Sequence, residues 1–181
     1  MKNRLLIITF FCFNIFVFSK SKKDLAENPL IKTVVFSGGT FDSQFPIIKM
    51  NQTLFLSFDD ISGEENFYYY RIIHCNFDWN ESKLLKSEYL DGNDNNLIDN
   101  IESSYGTLQR YTNYKLSLPN NDVGFKVSGN YLLEILDSDD NVILKRKFLI
   151  LDEKVSVDLN IYPSQNSDRF YTHQNVQFVI N

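Results

Sequence analysis

Between Phe67 and Trp79 the chain reads FYYYRIIHCNFDW, which crowds Arg71, His74, Cys75, Asp78 and the sole tryptophan into one short run. A thiol beside an imidazole is the raw material of a nucleophile–base pair or of a metal site. Both uses need side chains that converge. On an extended strand, successive side chains leave opposite faces, so His74 and Cys75 diverge. Past the first residues the chain offers only His74, Cys75 and His173 as soft ligands, and His173 lies in a separate late segment. A Cys/His metal site takes three or four ligands brought together, so neither catalysis nor metal binding is expected here. The odd positions Phe67, Tyr69, Ile73 and Cys75 read as the more apolar face. Alternation therefore assigns them to the core, with Cys75 as a small buried hydrophobe.

Other chemistry fares no better. Gly38 and Gly39 in FSGGT follow a strand, but no lysine follows them to complete a phosphate loop. The sequence contains neither a G-x-S-x-G elbow nor an H-E-x-x-H pair. The acidic pairs Asp59-Asp60, Glu64-Glu65 and Asp139-Asp140 sit at turns, where solvated carboxylates are ordinary; a hydrolytic pair would declare itself only by geometry. Counting from Asp91, the residues Asn93, Asn95, Asp99 and Glu102 fall on oxygen-ligand positions of a twelve-residue calcium loop. Asn96 stands where that loop needs glycine, and no helix follows Glu102. A solvated loop without a cofactor is the expectation.

The elements around these residues are strands. Leu54, Leu56 and Phe58 alternate with Phe55, Ser57 and Asp59, and Tyr114, Leu116 and Leu118 alternate with polar neighbours in the same way. Residues 131–150 read as a hairpin turning through Asp137-Ser138-Asp139-Asp140-Asn141, with Lys145 and Lys147 on one face and Leu144, Phe148 and Ile150 on the other. No helical period is sustained. In SGNYLLEI, Tyr131 is placed as the corner tyrosine that opens the sixth strand of immunoglobulin-like domains, with Leu133 and Ile135 facing inward. The fold expected is all-β, an immunoglobulin-like β-sandwich over 20–153. A second β segment begins at 154–181, where Val155, Val157, Leu159 and Ile161 alternate with polar residues and the chain stops within a strand, as a truncated domain would.

Lys2 and Arg4 precede the apolar run 5–18, and Val17-Phe18-Ser19 offers a cleavage exit, so 1–19 reads as a secretory signal peptide rather than an uncleaved anchor. The run is shorter than the ~20 residues of a membrane span. Cys12 leaves with it, and Cys75 then has no intrachain disulfide partner. With 43% hydrophobic and 15% aromatic residues, the chain can bury a real core. A formal net charge of −5 and the lack of any Lys/Arg cluster argue against nucleic acid as a partner.

Between the strand ending near Phe77 and the next, starting near Leu108, lie about thirty residues of little pattern, well above ordinary loop lengths. Long ordered loops on sandwiches carry binding surfaces. This one holds Trp79, Tyr89 and Tyr105, side-chain types enriched at interface hot spots, and these three are the candidate partner-binding residues. The competing use of such rings is to pin the loop down.

Taken in order, LFLSFDDI, YYYRIIHCNFDW, SEYLDGN, IESSYGTLQRYTNYKLSLPN, SGNYLLEI and RKFLILDE resemble the plug protein family of the type 9 secretion system, over roughly residues 32–153. DRFYTHQNVQFVI resembles the start of that family's next segment. The resemblance implies a periplasmic, non-enzymatic component that binds the outer-membrane translocon and plugs its periplasmic opening, with no small-molecule substrate. The family lends no catalytic residues to carry over. A glycan-binding module, with Trp79, Tyr89 and Tyr105 as a stacking platform, is the alternative from another class. A carboxylate hydrolase is the third.

Overall fold

The computed structural model describes residues 28–39 and 45–181; the signal segment at 1–19 lies outside them. Two sheets form the body. The first runs β1 (Ile31–Gly38), β3 (Leu54–Asp60), β8 (Thr112–Leu118), β7 (Asn100–Ser103). The second runs β2 (Ile47–Lys49), β11 (Val142–Leu151), β10 (Gly129–Leu136), β4 (Tyr69–Cys75), β6 (Asn96–Leu97). The pairs are antiparallel except β2 on β11, which is parallel. Lettered in chain order, the first sheet is A-B-E-D and the second carries G-F-C, the strand order of an immunoglobulin-type sandwich.

Period-two patterning explains the layers. Leu54, Leu56 and Phe58 face Tyr70, Ile72, Leu133 and Ile135 across the core, all of them buried. Rings pack within and between the sheets: Phe58 stacks on its ladder partner Tyr114 at 5.2 Å inside the first sheet, and Phe36 of the first sheet meets Phe148 of the second edge-on at 6.1 Å. Burying side chains of this size contributes roughly 1.5–3 kcal/mol each. The corner tyrosine is where the sequence places it: the Tyr131 hydroxyl donates to the Val127 carbonyl at 2.7 Å, closing the turn into β10.

One assignment is reversed. The core face of β4 is the even one: Tyr68 just ahead of it, then Tyr70 and Ile72, are buried, while Phe67 is exposed and Arg71 half-exposed. Tyrosines can turn inward because their hydroxyls find partners. Tyr68 donates to the buried Asp60 carboxylate at 2.8 Å, and the Tyr70 hydroxyl accepts from Asn120 at 3.1 Å. Arg71 faces outward to pair with Glu134 across the β4–β10 ladder. Cys75 is buried, though on the outward side, against the tight turn that returns at Glu81.

The segment that lacks periodic pattern is folded nonetheless. It contains one helical turn, α1 (Lys86–Tyr89), and the short strand β5 (Leu90–Gly92), which pairs with β9 (Val123–Phe125), followed by β6 and β7. Buried Asp94 fastens it to the sheet by accepting from the Ile72 amide and the Lys86 ammonium, both at 2.6 Å. Beyond β11, strands β12 (Val157–Pro163) and β13 (Gln174–Ile180) form a separate antiparallel hairpin. Val157, Leu159 and Ile161 lie opposite Ile180, Phe178 and Val176, so six apolar side chains share one face. All six are more than half exposed.

Candidate partner-binding surface

The three candidate rings occupy three different environments. Tyr89 is buried; its hydroxyl donates to the Ile72 carbonyl at 3.3 Å, and its ring packs against His74 and Tyr131. That is core packing, with no face left for a partner. Trp79 sits in the turn after β4, held at φ 66° by the Asn76–Asn80 backbone bonds, with the Lys147 ammonium 4.6 Å over its ring. Tyr105 is 99% exposed. Trp79 follows the C-terminal end of β4, whereas Tyr105 lies in the β7–β8 loop at the opposite end of the sandwich. The three rings therefore make no common stacking platform.

The end that carries Tyr105 is built from three loops, at 61–68, 104–111 and 137–141. Ladder partners Asp60 and Thr112, and Tyr69 and Leu136, bring their roots together. Buried Asp60 anchors the first loop, accepting from the Ser62 amide and Asn66 side chain at 2.8 Å as well as from Tyr68. The Tyr114 hydroxyl accepts from the Asn66 amide and donates to its carbonyl, both at 2.8 Å. The second loop closes on itself through the Ser104 amide to Tyr111 carbonyl bond at 2.8 Å and the Tyr111 amide to Ser104 Oγ bond at 2.8 Å. Ser103 Oγ donates to Glu65 at 2.6 Å and Gln109 Nε2 to the Ile61 carbonyl at 3.1 Å, lashing the two loops together. The third loop is the expected acidic turn, with Asp137 accepting from the Asp139 and Asn141 amides at 2.9 Å.

Sequence reasoning singled out Tyr105 here but missed Leu108 and Phe67, which are fully exposed and 60% exposed respectively. The signal available for Leu108 was an isolated large aliphatic inside the polar run GTLQR; for Phe67 none existed, since its exposure follows from the reversed face of β4.

The chemically tempting residues are otherwise accounted for. His74 faces inward, its Nδ1 2.9 Å from Ser82 Oγ, and Cys75 faces outward. Burial pushes the Cys75 thiol up, the opposite of what a nucleophile needs. The calcium spacing is pulled apart by the backbone: Asp91 belongs to β5, Glu102 to β7, and Glu102 pairs with Lys115 at 2.7 Å. Among the described residues no group of His, Cys, Asp or Glu is arranged to hold a metal ion. One acidic pair is split: Asp60 is buried in its network while Asp59 turns outward to Asn113 at 2.7 Å.

The outward face of the second sheet holds one buried charge. Glu134 accepts from Arg71 Nε at 3.0 Å and Nη2 at 2.5 Å, and Lys145 lies 2.5 Å from its other oxygen. Burial alone would raise its carboxyl; the hydrogen bonds and charge of Lys145 and Arg71 outweigh burial and hold it below the usual range. No helix among the described residues is long and apolar enough to cross a membrane.

Comparison with known proteins shows the family and a close fold. The family described as type 9 secretion system plug protein 1st domain matches residues 31–152. A crystal structure of a hypothetical protein from Parabacteroides merdae superposes with a TM-score of 0.76 at 34% identity, covering 86% of this chain and 40% of that one. The likeness thus takes in more than the family-matched sandwich, and this chain spans well under half the length of that protein. No curated protein matches the chain.

Proposed function

The chain belongs to the type 9 secretion system plug protein family, and from that premise we propose that it acts in the periplasm as a non-enzymatic plug. In this reading it binds the outer-membrane translocon of the system and occludes its periplasmic opening. The family match across the whole sandwich carries the reading. A plug needs a body that does not yield, and a surface that adheres without chemistry. A two-layer core of interlocked rings supplies the first, and ordered loops with exposed apolar tips supply the second. The buried, raised thiol of Cys75 is no activated nucleophile, which supports the non-enzymatic reading.

The late hairpin is read as the opening of a second domain, from about residue 154. A lone two-stranded hairpin is marginal in water, and a six-residue apolar face calls for a layer over it.

The test is recovery of the large barrel from solubilised outer membranes on the tagged, mature chain, with a longer family member as positive control. Recovery by the control and none by this chain would remove the plug assignment.

A further inference from the structure

Resting on that reading, we propose that the three-loop end of the sandwich is the docking surface, and that it fits a protein face that is basic and offers apolar recesses. Large apolar side chains scattered singly over a surface mean little. Here Tyr105 and Leu108 crown one loop, fully exposed, and Phe67 stands on the loop lashed to it. The loops are pre-ordered by the bonds between Ser104 and Tyr111, between Ser103 and Glu65, and between Tyr114 and Asn66. A loop already held in place loses little backbone freedom when it docks, which lets the few side chains at its tip dominate an interface.

The shape favours a macromolecule over a small sugar. Tyr105 walls two open clefts, each of about 410 Å³, one against Glu64 and Glu65 and the other against Asp59 and Asn113. A ring with a cleft on either side is a ridge that inserts into a partner, whereas a saccharide site floors its groove with rings.

Charge sets the partner's sign. Glu64 and Glu65 flank the ridge, Asp137, Asp139 and Asp140 form the neighbouring turn, and Arg110 is the cation among these loops. Arg71, Lys145 and Lys147 lie instead on the outward face of the second sheet. An acidic rim around apolar tips steers toward a basic face and rejects an acidic one. β11 leads away from this end, so the late hairpin departs from the opposite one, while Asn28 and Leu30 run into β1 on the Phe67 side and leave the Tyr105–Leu108 tip clear.

The experiment places a photo-crosslinking residue at position 105, or at 77 as a comparison, in the full chain expressed in cells. Phe77 is 90% exposed and sits in the turn at the other end. Adducts with the barrel from 105 and not from 77 are expected. Recovery by the double variant Y105S/L108S should fall at least roughly tenfold, as for interface anchors. The charge variant E64K/D139K should bind more weakly at low salt and lose salt dependence, and F77S should bind as the parent does. Because these side chains are exposed, unchanged melting temperatures will separate lost contact from lost fold. Adducts from 77 alone, or full recovery by Y105S/L108S, would overturn this surface while leaving the plug reading intact. Failure of the parent chain to recover the barrel would overturn both.

Discussion

Replacing Arg71 and Lys145 together by methionine should destabilise the protein more than replacing the carboxylate they serve. The Glu134 side chain is 4% exposed, whereas Arg71 is 40% and Lys145 27% exposed. Glu134→Gln leaves two cations that can swing into water, and should cost about 1–2 kcal/mol, near the value of hydrogen bonds to charged groups. R71M/K145M strands an ionised carboxylate inside the sheet, a defect worth roughly 3–5 kcal/mol. The pH dependence should reverse as well. In the parent, Glu134 is held below its ordinary 4.5, so its contribution is full at neutral pH and is lost as pH falls through the folded value. In R71M/K145M only burial remains, which raises the carboxyl, so stability should increase as pH drops from neutral and the group takes up its proton. Urea titrations at pH 7, near pH 5 and near pH 3.5 on the parent and the two variants decide it, because the parent's loss begins only below the ordinary 4.5 whereas the gain in R71M/K145M begins above it. A Glu134→Gln cost exceeding that of R71M/K145M, or acid lowering the stability of R71M/K145M as it lowers the parent's, would refute the reasoning.

Tyr131→Phe removes the donor that satisfies the Val127 carbonyl at the entry to β10, and should cost about 1–2 kcal/mol in urea with the slope unchanged. Burial raises the phenols of Tyr68, Tyr89, Tyr114 and Tyr131, so stability should hold below their ordinary value of 10.0 and fall above it, with phenolate absorbance rising in the same step as loss of β-sheet signal. Calcium or a chelator should leave the melting temperature unchanged, because the Asp91 to Glu102 oxygens are distributed over separate strands; a shift on adding calcium would contradict that.

Legibility followed burial geometry. β3 and β8 could be read because each buries one face more than the other, which writes alternation into the sequence, and the β10–β11 hairpin because a polar turn joins two apolar runs. Tyr131 could be read because a turn plus tyrosine is a local device. The inward face of β4 could not, since its tyrosines carry hydroxyls whose partners come from elsewhere in the chain, Asp60 from β3 and Asn120 from the turn after β8. Counting apolar residues on each side misjudged which face would be satisfied. The stretch after Phe77 looked structureless because β5 to β7 are two to four residues long, too short for a period, and are held by ladders to distant strands. Tyr89 was misjudged for the same reason: its burial depends on His74 and Tyr131 closing around it. Tyr105 was legible as a type of residue, while its placement beside Leu108 and Phe67 needed the folded loops.

Trp79 gives the molecule a native optical reporter. It is the sole tryptophan, with an ammonium over its indole, at the end of the sandwich remote from Tyr105. Its emission therefore reads one locality without labelling. A partner seated on the acidic loops leaves that signal quiet, and a partner seated over the turn after β4 displaces Lys147 and changes its colour. The protein thus carries an internal spectroscopic ruler for which of its two ends is occupied.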